Sequence, residues 1–199
     1  AVSAADIDVA NSKVVFILSS TKGQIEESED ISLGETASDI ARQLGIPTQP
    51  IVVCNACISG LSALILASRL LEMGRYDYAV VCGADTPGRF IISGFQSLKA
   101  LSYRPCRPFD MERFGLNLGE AAATIVLGKE ARQKEANWQF SRGFVKNDAF
   151  HISAPSKTGE GLYEALTETL EGVDKETLGF INAHGTATLF NDQMEAIAI

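Results

Sequence analysis

Ile51-Val52-Val53-Cys54-Asn55-Ala56-Cys57-Ile58-Ser59-Gly60, continued by the apolar run from Leu61 to Met73, decides how the chain folds. Ile51 to Cys54 is short, rich in β-branched residues and uncharged, which predicts a buried strand. From Gly60 onward the period changes. Leu61, Leu64, Ile65, Ala67, Leu70 and Leu71 suit a largely buried helix, with Arg69 and Glu72 at its wetter end and Gly74 as a left-handed stop. Cys57 is therefore expected on a tight turn between a buried strand and a buried helix. Backbone N–H groups and the positive end of the helix dipole favour thiolate over thiol there, as a cysteine nucleophile requires.

Three other fates for these cysteines have to be weighed. Most cysteines in apolar surroundings are inert packing. Cys54 and Cys57 also form a C-x-x-C, a redox spacing, although Cys54 falls within the strand instead of the exposed turn. Cys82, Cys106 and the two histidines have no familiar zinc-ligand spacing, so no metal and no cofactor is expected.

Composition narrows the classes. A chain of 199 residues can bury one sizeable core, and 46% apolar with 21% charged residues describes an ordinary globular protein. The net charge of −8 argues against a nucleic-acid surface, because nothing would neutralise phosphates. There is no apolar stretch of bilayer-spanning length and no signal-peptide pattern. Four cysteines, two of them in strand contexts, suit a reducing cytoplasm. The chain begins at Ala1 and stops at Ile199 inside an apolar run.

Taken in order, Ala1 to Lys13 is polar and undetermined. Val14 to Leu18 reads as a buried strand ending in a turn, Ser19 to Gly23, and Glu26 to Asp30 as a solvated acidic loop. Ser32 to Leu44 is expected as a helix with Ala37, Ile40, Ala41 and Leu44 on one face and Gly45 as its stop. Pro47 and Pro50 keep the next stretch extended. Tyr78 to Cys82 is a second buried strand with Gly83-Ala84-Asp85 as exit turn, completing a right-handed β-α-β unit with parallel pairing. Ile91 to Leu101 reads as a short helix, Tyr103 to Phe114 as a loop, and Glu120 to Leu127 as an alanine-rich buried strand. Lys129 to Asn137 is a charged helix or linker between two halves. In the second half, Trp138 to Val145 and Leu178 to Ala183 are expected strands and Leu162 to Leu170 a helix. Asn191 is the expected cap of a last helix starting near Gln193.

Asn55-Ala56-Cys57-Ile58-Ser59-Gly60 resembles the nucleophile turn of β-ketoacyl synthases, the condensing enzymes of fatty acid and polyketide synthesis. Asn182-Ala183-His184-Gly185-Thr186-Ala187-Thr188 resembles their first active-site histidine motif. Arg107-Pro108-Phe109-Asp110 and Gly119-Glu120-Ala121, between the two, resemble a further stretch typical of these enzymes. Three motifs occur in the family's order, over nearly all of the chain from Val14 onward. Two details depart from the pattern: Arg113-Phe114-Gly115-Leu116 stands where Arg-Asp-Gly-Phe is commoner, and Ala122-Ala123 replaces a glycine-bearing pair.

The resemblance implies an α/β, thiolase-like layered αβαβα architecture with mixed, largely parallel sheets, only partly covered by this chain. Residues 1–135 would belong to the half carrying the nucleophile and residues 136–199 to the start of the half carrying the first histidine. A weak echo between the halves, each with a reactive residue in a tight turn, fits that duplicated plan. It would bring the Cys57 and His184 loops to a common cavity.

The same resemblance implies chemistry. Cys57 would form an acyl-thioester, and His184 would bond the thioester oxygen of a malonyl group as it loses carbon dioxide. Thr186 and Thr188 match threonines that contact the phosphopantetheine arm of acyl carrier protein, although threonines serve in caps and turns everywhere. Phe95 lies where a family phenylalanine borders the acyl chain, and a plain core aromatic is the equal alternative. His151 does not match the catalytic histidine. Arg107 and Asp110 by themselves make a surface ion pair of little worth.

A homo- or heterodimer with acyl carrier protein as partner is likewise implied. Ketosynthases carry a second histidine in a later Gly-His motif, a lysine and a glycine-rich loop beyond the point where this chain stops. The expectation is an incomplete ketosynthase that does not condense substrates alone. A non-catalytic partner resembling the chain-length factors is the alternative from a different class, and a Cys54–Cys57 redox protein is the third.

Overall fold

Six consecutive buried residues, Val14–Ser19, form β1, and the first part of the fold is assembled around them. The computed structural model describes residues 1–23, 25–26, 32–129, 138–151 and 154–199. They fall into two compact units, Ala1–Thr86 with Glu120–Arg142, and Pro87–Gly119 with Gly143–Ile199.

In the first unit, Val15 and Ile17 pack on Ala63, Ala67, Leu70 and Leu71 of α3 (Ser59–Glu72). Val14, Phe16 and Leu18, on the opposite face, pack on Ile46 and on Ala37 and Ala41 of α2 (Leu33–Leu44). Successive side chains of a strand point to opposite faces, so a strand covered on both sides has to be apolar throughout. A short first helix, α1 (Val2–Ala5), precedes this core, and Val2, Ile7 and Val9 close over the α2 side.

The sheet order is β2 (Ile51–Val53), β1, β3 (Tyr78–Asp85), β4 (Ala121–Gly128). β2 and β3 both run parallel to β1, with Ile51 opposite Ile17 and Tyr78 opposite Val14. The strand-helix-strand unit around Cys57 is thus parallel as expected, but its two strands do not pair with each other. β1 lies between them, because the most apolar strand takes the position where both faces and both edges are covered. β3 also continues through Gly83, Ala84 and Asp85, which the sequence reading makes a turn. These residues are held in register by antiparallel Ala123, Ala122 and Ala121 of β4.

β4 is the expected alanine-rich strand, yet it is not buried. Val126 and Leu127 reach the two apolar clusters, while Ala121 to Ala123 stand exposed at the sheet's far end. In α3 the stripe Ala63, Ile65, Ala67, Leu70 and Leu71 is buried, but Leu61 is half exposed in the first turn. Gly74 ends α3 as expected, at φ 69°, where its N–H bonds Leu71 O and Arg75 N–H bonds Leu70 O. This double closure needs a left-handed residue, and glycine adopts that conformation without a Cβ penalty. α2 is capped by Ser32, whose Oγ accepts from Glu35 N–H, and is closed in the same way at Gly45.

The second unit contains α4 (Arg89–Ser97), α5 (Glu160–Thr169), a 3₁₀ turn at Lys175–Thr177 and α6 (Leu189–Ala198). α4 stops short of Leu101 because the chain turns left-handed at Lys99, and Leu101 then bridges to Leu116. The helix expected over Leu162 to Leu170 is α5. α6 starts earlier than expected: Thr188 is its N-cap residue, and Asn191 lies inside the first turn instead of capping it.

Trp138 to Val145 and Leu178 to Ala183 are not strands. Trp138 and Phe180 are exposed, and among the described residues neither stretch has a backbone ladder to join. Apolar β-branched composition makes a strand only where a neighbouring backbone takes up its N–H and C=O groups. The described residues therefore hold one sheet of four strands, not two. Residues 27–30 of the expected acidic loop and 130–137 of the expected linker lie outside the described residues. No helix among the described residues is long and apolar enough to cross a membrane.

Candidate active site

In the first unit β2 ends at Val53, and α3 starts six residues later. The intervening turn is tight. Ala56 is left-handed at φ 46°, and Asn55 and Cys57 form an isolated bridge around it. A non-glycine residue in that conformation costs about 1–2 kcal/mol and persists only where its surroundings impose it.

Ser59 does so. Its Oγ, buried at the first residue of α3, accepts Asn55 N–H at 2.7 Å and donates to Ala56 O at 2.7 Å. Ile58 N–H and Ser59 N–H bond Asn55 O and Ala56 O, and Asn55 Nδ2 donates to Ser62 Oγ at 3.2 Å. Cys57 is exposed at the head of this turn, directly before the N-cap residue Ile58. Burial as inert packing does not describe it. The turn follows the carboxyl end of β2, where ligands of open α/β sheets gather.

Ser59 is a residue the sequence reading passed over. Ser59→Ala removes the hydroxyl that accepts Asn55 N–H, and the expected cost is about 1–3 kcal/mol. Alkylation kinetics of Cys57 with a small thiol reagent should change in Ser59→Ala, while those of Cys106, in the other unit, stay as in the wild type. Equal Cys57 kinetics would show that the turn is held without Ser59.

Cys54 is exposed as well, with its Sγ 3.8 Å from Thr21 O, and among the described residues there is no disulfide. Lys22 is a second residue missed by the sequence reading. Although nearly buried, it donates Nζ to Thr86 O at 2.7 Å and to Asp85 Oδ1 at 3.2 Å, pinning the chain after β1 to the exit of β3.

In the second unit, His184 is exposed on the chain between the 3₁₀ turn and α6. Its N–H donates to Glu195 Oε1 at 2.6 Å, and Gly185 N–H donates to Glu195 Oε2 at 2.9 Å. Gly185 is left-handed at φ 54°, and a Cβ there would come within 3.1 Å of Pro108 Cβ. Ala187 is left-handed and fully buried. The hydroxyls of Thr186 and Thr188 lie 2.8 Å apart, and Thr188 N–H bonds Thr186 Oγ1 at 3.4 Å, a local turn closure.

The loop from Tyr103 to Phe114 abuts this stretch. Cys106 Sγ lies 4.0 Å from Thr186 O, and Phe109 N–H donates to Asp192 Oδ2 at 2.7 Å. Arg113 donates to Asp110 O and Leu189 O, each at 2.9 Å. Tyr103 meets Phe114 edge to face, with Arg104 over the Tyr103 ring. Arg107 lies 4.0 Å from Asp110 on the surface.

The second unit thus brings together His184, Thr186, Thr188 and the Arg107 to Asp110 motif. Phe95 is half buried on α4 of the same unit, a helix with no fully buried residue, and His151 is exposed. Cys57 belongs to the first unit. Sequence reasoning missed Asp192 and Glu195, both almost fully buried. The available signal was their spacing: two carboxylates three residues apart, on one face of a helix.

Comparison with known proteins gives the same family as the resemblance. Residues 23–133 match the family described as Beta-ketoacyl synthase, N-terminal domain, and residues 141–199 match Beta-ketoacyl synthase, C-terminal domain. The chain is 36% identical to 3-oxoacyl-acyl-carrier-protein synthase 2 of Rhizobium meliloti (strain 1021), over 80% of this chain and 41% of that protein. It is 35% identical to the tetracenomycin polyketide synthase ketoacyl synthase alpha subunit of Streptomyces glaucescens, with the same coverage of 80% and 41%.

Among solved structures, a ketosynthase in complex with its chain length factor from Xenorhabdus doucetiae superposes with a TM-score of 0.79 at 31% identity. The match covers 94% of this chain and 52% of that one. The ishigamide ketosynthase/chain length factor gives a TM-score of 0.86 at 27% identity, covering 96% and 54%. The chain spans less than half the length of these curated relatives. With its mixed sheet, parallel strands and covering helices it has the α/β, thiolase-like ketosynthase fold, and it belongs to the β-ketoacyl synthase family.

Proposed function

We propose that this chain carries the acyl-accepting and first-histidine segments of a condensing acyltransferase of fatty acid or polyketide synthesis. The Cys57 thiolate attacks the carbonyl of an acyl-carrier thioester, and the phosphopantetheine thiolate leaves. A malonyl thioester then loses carbon dioxide, His184 bonds the oxygen on which enolate charge develops, and the enolate carbon attacks the acyl-cysteine. Carbon–carbon bond formation releases the Cys57 thiolate.

Thr186 and Thr188 contact the pantetheine arm, and Phe95 borders the acyl chain. Acyl carrier protein is the partner, the assembly is a homo- or heterodimer, and the location is cytoplasmic. The halves meet near residue 135, those before it serving the nucleophile and those after it the histidine.

The observation carrying this reading is the exposure of Cys57 on a strained strand-to-helix turn, within a segment that matches the family. A ketosynthase-directed cysteine modifier tests it: the expected adduct is on Cys57, read by peptide mass mapping. Two of the similar structures pair a ketosynthase with a chain length factor, which keeps a non-catalytic partner subunit as the second reading. Absence of any Cys57 adduct favours it. A Cys54–Cys57 disulfide forming under mild oxidation, with no adduct on either thiol, would favour redox chemistry instead.

A further inference from the structure

Ser19, Ser20 and Lys22 are buried although polar, and they lie where β1 gives way to a turn. Lys22 is 8% exposed, and a lysine is almost never that buried unless its ammonium is paired. Its partners come from far along the chain. Nζ donates to Thr86 O at 2.7 Å and to Asp85 Oδ1 at 3.2 Å, at the exit of β3. A side chain that only filled this space would be cheaper as an apolar one, because taking an ammonium out of water is costly. The donors are what the position uses.

The turn that Lys22 holds also touches the strand on the other side of β1. Ser20 N–H bonds O of Val53, the last residue of β2, at 3.4 Å, and Thr21 O accepts the Cys54 thiol at 3.8 Å. Ser20 Oγ accepts Gly23 N–H at 3.2 Å, which keeps the turn closed. Ser19 Oγ lies 3.8 Å from where a Cβ would stand on Gly60, in the first turn of α3. Both ends of the Cys57 turn therefore rest on the segment from Ser19 to Lys22, and Lys22 ties that segment to β3. β2 has only three residues, so its own ladder to β1 is short.

We infer that Lys22 is a positioning residue for the acyl-accepting thiol. Its ammonium locks the segment from Ser19 to Lys22 against the exit of β3. Through Ser20 N–H and Val53 O that segment fixes where the Cys57 turn leaves the sheet. The inference rests on the proposed acylation of Cys57. Lys22 acts through the backbone, and the Cys54 thiol only reports whether Thr21 O is in place. Displacing a reacting group by an ångström can cost on the order of a hundredfold in rate.

The test uses the full chain as wild type, Lys22→Met and Asp85→Ala. Methionine fills similar space without charge or donors, and Asp85→Ala removes one partner from a residue whose side chain is half exposed. Three readouts are needed: acylation of Cys57 at varied concentrations of an acyl-carrier thioester, alkylation of Cys54 and Cys57 by iodoacetamide, and amide exchange of β1 by NMR. In Lys22→Met the saturating rate of acylation is expected to fall about tenfold to a hundredfold, with the half-saturating concentration unchanged. Cys54 alkylation should become severalfold faster and Cys57 alkylation should change, while β1 keeps its protection. Asp85→Ala should move the same rates in the same direction by less.

Wild-type acylation and wild-type Cys54 alkylation in Lys22→Met would overturn the inference. So would an acylation loss that only matches the loss of β1 protection, since that marks a role in folding alone. Where Lys22→Met does not fold, Asp85→Ala decides by the same rates, and wild-type values there would overturn the inference. If the wild type takes no acyl group on Cys57, the proposed function fails, and the alkylation rates still decide whether Lys22 holds the turn.

Discussion

Cys57→Ala is expected to lower acyl transfer onto the chain by at least about a thousandfold, to the level of nonspecific transfer, because it removes the proposed nucleophile's sulfur. The position explains the size of the effect. Cys57 is exposed, stands one residue before the N-cap of α3 and is presented by a turn that Ala56 enters left-handed. A thiol at that end of a helix gains from the dipole and from outward-facing N–H groups. Cys54→Ala is the comparison: its thiol is also exposed but sits one residue past β2, against Thr21 O. Cys54→Ala should leave acylation of Cys57 intact. Measured by intact mass after incubation with an acyl-carrier thioester, comparable labelling of Cys57→Ala and wild type would remove Cys57 from the chemistry.

Phe16→Ala is expected to have the largest effect on stability. Phe16 is the largest of the fully buried side chains, on the central strand, packed with Ala37, Ala41 and Ile46. Such a truncation leaves a cavity that small alanines cannot fill, and its cost is about 3–5 kcal/mol. Against a total stability of about 5–15 kcal/mol, that is enough to unfold a marginal domain. Ile125→Ala on β4, where the residue is 47% exposed, should cost much less. Urea midpoints of the two variants test the contrast, and equal midpoints would mean that β1 is not the core of the first unit.

Residues with local causes were legible in the sequence. Val14 to Leu18 could be read as a strand because both faces are covered, which leaves an unbroken apolar run. Gly45 and Gly74 mark helix ends through their own backbone freedom, and Cys57 sits at a change of period from two to 3.6. What escaped was set by distant partners. Nothing local says that β1 separates β2 from β3, or that Ala121 to Ala123 lie beyond the cover of the helices. Phe180 and Ile181 have strand composition, but pairing is not written in composition. The carboxylates were the costliest omission. Nothing local tells a buried carboxylate from a solvated one at Asp192 and Glu195, and only the fold turns them toward backbone amides.

The most direct measurement is the site of acylation in the unmodified chain. Incubation with an acyl-carrier thioester, digestion and tandem mass spectrometry should place the acyl group on Cys57, in a thioester that neutral hydroxylamine removes. An acyl group found only on Cys54, Cys82 or Cys106, or on no cysteine at all, would contradict the account.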